Sequence, residues 1–225
     1  MFIYILFIAI AILSYIVQAS LQSKFKKYSQ EPIASGMTGR DVALKMMHDN
    51  GINDVEVSCI SGTLTDHYDP TTRRVNLSQD VYSECSVAAA AVAAHECGHV
   101  VQHATGYAPL KLRSSLVPVV SFSSKIVSWV LLAGIILVQA FPVVLEVGIA
   151  LFALTTLFSI VTLPVEINAS KRALAWLDHA GITSASNHRM AESALRSAAY
   201  TYVVAALSSL ATLVYYLLIL NNRRS

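Results

Sequence analysis

The chain is short of charge. Asp, Glu, Lys and Arg make up 13% of its 225 residues, against about 25% in soluble domains. That deficit, beside a hydrophobic share of 55%, excludes an ordinary water-soluble globule and points to a bilayer. Cysteine is also scarce: Cys59, Cys85 and Cys97 include no CxxC pair and cannot all pair with one another. This excludes a disulfide framework and reads as three free thiols in a reducing compartment. The net charge is only +2 and its lysines and arginines are scattered, which excludes a nucleic-acid partner. No internal repeat or low-complexity linker is present. The opening MFIYILF carries no basic residue ahead of its apolar run, so it reads as a retained anchor rather than a cleaved signal peptide.

What the chain does have is apolar length. Four runs, Phe2 to Leu21, Phe122 to Phe141, Val143 to Leu163 and Tyr200 to Leu220, reach the roughly 20 residues that a helix needs to cross the hydrocarbon core. Lys24, Lys26 and Lys27 follow the first run directly, and the positive-inside rule then places the segment after it in the cytoplasm. Of the 16 Lys and Arg, all but Arg223 and Arg224 fall on the inner side, counting interfacial Lys125. The expected organisation is an anchor at 1–22, a cytoplasmic region at 23–121, a transmembrane hairpin at 122–163, a second inner region at 164–199 and a last span with its tail at 200–225.

The inner regions carry local signals. Thr38 followed by Asp41 resembles a capping box for a helix of about Gly39 to Asn50, with Gly51 as its stop and Val42, Met46 and Met47 on its buried face. DVEVSCI alternates like a strand, and GTLTDHYDPTTRRVNLS reads as two more strands around Asp69-Pro70-Thr71-Thr72. A small antiparallel sheet is therefore expected just before an alanine-rich helix that Ser86 can cap and that runs to about Thr105, where Gly106 stops it. Glu166 to Ala180 and about Asn187 to Arg196 read as further helices.

The alanine-rich helix contains AVAAHECGHVVQHATGY, with His95, Glu96 and His99. Residues four apart lie on one face of a helix, so the two imidazoles can share one tetrahedral zinc. Glu96 is turned about 100° from His95 and can flank the metal as a proton acceptor. A bare HExxH arises by chance. Its setting among AAAAVAA, however, has no explanation as a solvated face. Gly98 would let another backbone or a substrate approach closely. Catalytic zinc needs a third protein ligand, and His48, His67, His103, His179, His188 and a distant carboxylate such as Glu166 all remain open on spacing alone; His103 reads better as packing behind the site.

HECGHVVQHATGY, GTLTDHYDP, LPVEINASKRAL and SALRSAAYTYVVAAL together resemble the neutral zinc metallopeptidase family of bacterial membrane proteins, the YugP type, over almost the whole chain. The resemblance implies an α+β membrane protein with about four transmembrane helices and a cytoplasmic, gluzincin-like metallopeptidase domain, in which the small sheet accompanies the HExxH helix. It implies one zinc ion per chain held by His95, His99 and Glu166, with Glu96 as catalytic base. The layout is also similar to the HtpX and CAAX-protease group, where an aspartate four residues after the third ligand supports a histidine. Here Ser170 stands at that place, with Asn168 nearby as a candidate support alongside His103.

The expected activity is hydrolysis of peptide bonds in membrane proteins or peptides at the cytoplasmic face of the bacterial inner membrane, with lipid as the surrounding partner. Substrate would add as a strand to an edge of the sheet. Tyr202 is a candidate oxyanion donor and His67 a candidate substrate contact, although an aromatic-belt tyrosine and a hairpin-tying histidine are the plainer alternatives. Two rivals stand beside this reading. One is a site-2-type intramembrane protease using Asp178. The other is a non-catalytic membrane adaptor with a structural zinc.

Overall fold

A computed structural model describes residues 2–222, with side chains from Ile5 onward. Arg223 and Arg224, the two charges set apart by the topology argument, lie outside the described residues. The elements are α1 (Phe2–Tyr28), α2 (Gly39–Asp49), β1 (Glu56–Ile60), β2 (His67–Asp69), β3 (Arg74–Ser78), α3 (Gln79–Ser83), α4 (Val87–Ala104), α5 (Ala108–Ile136), α6 (Pro142–His179) and α7 (Ala185–Asn222). Helices α1, α5, α6 and α7 are long and apolar enough to cross a membrane. The chain forms two compact units. Among the described residues, one comprises 2–16, 111–164 and 201–222, and the other 17–110 and 165–200.

In the first unit, α5 and α6 pack through small residues. A Cβ on Gly134 would stand 2.6 Å from the Leu145 Cα, and one on Gly148 would stand 2.9 Å from a Leu131 methyl. Val127, Leu131, Leu145 and Ile149 form the apolar centre, to which Leu213 and Tyr216 of α7 add. Thr156 and Ser209 join α6 to α7 by a hydroxyl contact of 2.8 Å. Most other large side chains of these helices point outward. Helix α5 begins at Ala108, ahead of the apolar run that starts at Phe122, and it carries Pro118 inside it. Charge at Lys111 and Arg113 ends the hydropathic signal without ending the helix, because both residues are good helix formers.

The second unit is a conventional core. Thr38 caps α2 with the full reciprocal box: its hydroxyl accepts from the Asp41 N–H, and the Asp41 carboxylate accepts from the Thr38 N–H. The Thr38 hydroxyl beside it holds the Asp41 carboxyl below the usual range. Ser86 caps α4 by accepting from the Ala89 N–H at 3.1 Å. Gly106, at φ +65°, turns the chain out of α4 in the left-handed region that glycine tolerates. Val42, Met46 and Met47 of α2, Val75 and Leu77 of β3, Ala90, Ala91, Ala93 and Ala94 of α4, and Ala173 and Leu177 of α6 share one buried cluster.

The sheet departs from expectation. Its order is β1-β3-β2, with β2 antiparallel to β3 but β1 parallel to it, so the sheet is mixed rather than antiparallel. The cause lies in the two connections. Asp69 caps the short turn by accepting from the Thr71 N–H and the Thr72 hydroxyl, which folds β2 directly back onto β3 as a hairpin. The link from β1 to β2 instead crosses the end of β3, where Asp66 accepts from the N–H of Ser78 at 2.7 Å and from its hydroxyl. That crossing carries β2 to the far edge and leaves β3 beside β1.

Helix α6 continues through Pro164 to His179 without a break. Gly181, at φ +64°, follows its end. Helix α7 is likewise continuous from Ala185, so the helix expected around Asn187 to Arg196 and the last apolar run are one element.

Candidate metal centre

The residues of interest all lie in the second unit. His95, Glu96 and His99 come from α4, and Glu166 and Ser170 from α6. What brings the helices together is Gly98. A Cβ there would lie 2.6 Å from the Ala169 carbonyl oxygen and 3.0 Å from its Cα, so only a glycine permits this approach. The close neighbour is thus a backbone. Ala169 is itself fully buried, and residues one turn either side of the crossing face each other.

Glu166 projects between the two histidines. One of its carboxylate oxygens is 3.3 Å from His95 Nε2 and 3.6 Å from His99 Nε2. The ligand atoms of His95, His99 and Glu166 all lie within 4.8 Å of one another. Zinc bonds of about 2.1 Å at tetrahedral angles separate ligand atoms by about 3.4 Å, so the spacing fits a single ion. Among the described residues, this is the one group of three or more His, Cys, Asp or Glu placed to share an ion.

The donor set also fits zinc in chemistry. Both histidines turn Nε2 inward and use Nδ1 outward: His95 Nδ1 meets the Ser170 hydroxyl at 3.1 Å, and His99 Nδ1 meets Gln102 Oε1 at 3.0 Å. Metal-ligating imidazoles are held in this way, by a polar partner on the nitrogen that faces away from the ion. Burial opposes charge on His99, but the nearby carboxylates of Glu166 and Glu96 outweigh it and raise its pKa. The pocket is therefore poised to hold positive charge.

Glu96 is buried, and its Oε2 accepts from the Tyr68 N–H at 3.1 Å. Tyr68 belongs to β2, an edge strand, and this amide points off the sheet toward α4. Cys97 turns the opposite way, with Sγ 3.5 Å from the Ala43 carbonyl of α2. Its burial pushes the thiol pKa up, which makes it an inert packing group.

The other sequence candidates occupy different places. His103 Nδ1 pairs with the Tyr68 hydroxyl at 2.9 Å. Eight residues beyond His95 a helix has turned about 80° off its face, which carries His103 away from the ion-sized space. Asn168 bonds to Gln102 and Arg172, one step behind the histidines. His67 uses both ring nitrogens inside its own hairpin, Nδ1 with the Thr65 carbonyl and Nε2 with the Asn76 amide. His48 and His188 pair with Asp49 and Thr183. Tyr202 lies on α7 in the first unit. Sequence reasoning missed Gln102, although its spacing of three from His99 places it on the neighbouring face.

Known proteins point the same way. A curated relative from Bacillus subtilis (strain 168), "Putative membrane protease YugP", is 41% identical over 212 residues, covering 94% of this chain and 93% of the relative. No solved structure matches the chain significantly. The family model described as "Putative neutral zinc metallopeptidase" matches residues 3–221. The chain therefore belongs to that family, and the zinc in the family's name has a fitting set of donors in His95, His99 and Glu166.

Proposed function

We propose that the protein is a membrane-bound zinc endopeptidase of the gluzincin type, hydrolysing peptide bonds of membrane proteins or peptides at the cytoplasmic membrane surface. The observation that carries this reading is the convergence of His95, His99 and Glu166 on one ion-sized space with Glu96 adjacent to His95 on the same helix. His95, His99 and Glu166 would hold one zinc. When bound, that ion supplies Lewis-acid chemistry, acidifying water and polarising a carbonyl.

The chain's own residues do the rest. Glu96 takes the proton of the attacking water and returns it to the leaving nitrogen as the carbon–nitrogen bond breaks. The Tyr68 N–H holds one oxygen of Glu96, which fixes the carboxylate's direction through that cycle. The Ser170 hydroxyl steadies the His95 ring. A substrate in extended form lies along β2, the edge strand that meets Glu96, and its backbone supplies affinity whatever its side chains. The lysines after the first span, Lys24, Lys26 and Lys27, support a cytoplasmic position for the site, and substrates are then cytosolic segments of membrane proteins, or peptides.

Purified protein and its Glu96→Ala form test the assignment. Loss of the general base lowers cleavage of a candidate membrane-protein substrate by about 10²–10⁴-fold while zinc content stays at one per chain. Equal cleavage by both forms would sink the catalytic role. Zinc analysis of Glu166→Ala addresses the ligand, and unchanged stoichiometry and affinity would remove Glu166 from the site.

A further inference from the structure

Gln102 is a wholly buried polar side chain, 0% exposed, that neither the cleavage chemistry nor the ligand set uses. Its amide is fully engaged. Oε1 stands 3.0 Å from His99 Nδ1, while Nε2 donates to the Val165 carbonyl at 2.7 Å and to Asn168 Oδ1 at 3.0 Å. Asn168 Oδ1 also accepts from Arg172 Nε at 2.8 Å.

The chemistry of these partners removes every ambiguity of orientation. An arginine Nε–H can only donate and a backbone carbonyl can only accept. Arg172 therefore fixes Asn168 with its oxygen inward, and that oxygen together with the Val165 carbonyl requires the Gln102 amino group. Oε1 is then the atom facing His99, and as an acceptor it requires the proton on Nδ1. His99 Nε2 is left with a bare lone pair on the side where Glu166 lies. His95 is held differently, because the Ser170 hydroxyl can donate or accept and so fixes the position of the ring without fixing its tautomer.

We propose that Gln102 is a positioning residue for the metal centre, setting the ligating tautomer of His99 and, through the carbonyl of Val165, the backbone that presents Glu166. One side chain thus governs two of the three donors. This rests on the zinc reading of the site and adds to it a residue that touches neither substrate nor metal.

The test measures zinc affinity of the full-length protein by competition with a chelator, for the wild type and for Gln102→Met, Gln102→Glu and His99→Ala. Gln102→Met keeps the volume and removes the acceptor, and binding weakens 10–100-fold, the usual effect of removing such a partner. Gln102→Glu restores an acceptor to His99 Nδ1 and in its neutral form donates to Val165, so binding stays within about threefold of the wild type. Wild-type affinity in Gln102→Met, or equal loss in both glutamine variants, overturns the inference while leaving the zinc site standing. Undiminished zinc binding by His99→Ala instead removes the zinc reading, and the inference falls with it. Should Gln102→Met fail to fold, the metal-free wild type decides by nitrogen NMR of its labelled histidines at alkaline pH. His99 protonated at Nδ1 upholds the proposal, and His99 protonated at Nε2 overturns it.

Discussion

Helix α4 and the helices of the first unit are both strongly apolar, yet they spend that character in opposite ways. In α4, Val87 to Ala94 are all buried, and six of those eight residues are alanine. In α5, outside the few residues that meet α6, large side chains face outward: Trp129 is 73% exposed, Ile136 71% and Phe122 66%. Small apolar side chains let backbones approach, and large ones present area to an apolar solvent. Side-chain size, more than hydropathy, therefore separates a helix that faces protein from one suited to lipid. The metal centre depends on the first kind. Its two helices meet where Gly98 has no side chain at all.

The sharpest break of that contrast is Gly98→Val. Its Cβ would fall on the Ala169 backbone, which cannot yield as a flexible side chain could, and α4 and α6 must separate. Because His95 and His99 on one helix meet Glu166 on the other, even a 1 Å displacement spoils the shared coordination. Zinc binding should drop by at least the 10–100-fold seen when a supporting group is lost, and cleavage should vanish with it. Chelator competition on detergent-purified protein measures the first and a peptide assay the second. Wild-type zinc affinity in Gly98→Val would show that the helix approach does not build the site.

How far the site was legible depends on how locally its parts are encoded. The caps at Thr38 and Ser86 are visible because the hydrogen bonds span three residues. His95, Glu96 and His99 are visible because a helix repeat aligns them. Glu166 is a different case, since it is 71 residues from His95 and no spacing rule selects it over His48, His67, His179 or His188. Only the resemblance carried by LPVEINASKRAL singled it out. The direction of β1 was hidden for a related reason: it is set by where Asp66 lands on Ser78, a contact between loop and strand end that no alternation of residues reports. Gln102 was hidden because a glutamine inside a helix ordinarily faces water, and its burial becomes visible only with α6 against it.

A milder test fills α4 rather than splitting it from its neighbour. Ala91 is fully buried in the shared core. Ala91→Leu adds volume where there is no room, and such overpacking costs about 1–3 kcal/mol. A lowered melting temperature, with zinc affinity reduced less than in Gly98→Val, would place the strain in the core rather than at the crossing. An unchanged melting temperature would mean that the alanine face tolerates bulk and that the contrast by side-chain size is wrong for this helix.

The smallest effect is expected on the other side of the comparison. Trp129 is among the largest side chains on α5 and is mostly exposed, and Trp129→Leu changes side-chain volume by an amount comparable to Ala91→Leu. Volume is nevertheless the wrong measure, because an outward-facing group leaves no cavity, and the surrounding apolar solvent closes over the smaller residue. The change in stability should stay within about 0.5 kcal/mol, the range of substitutions away from packed or bonded sites. Thermal unfolding in detergent reads it directly. A loss exceeding that of Ala91→Leu would mean that Trp129 packs against protein, in a second copy of the chain or another partner, and would move this face of α5 from the lipid-facing to the protein-facing class.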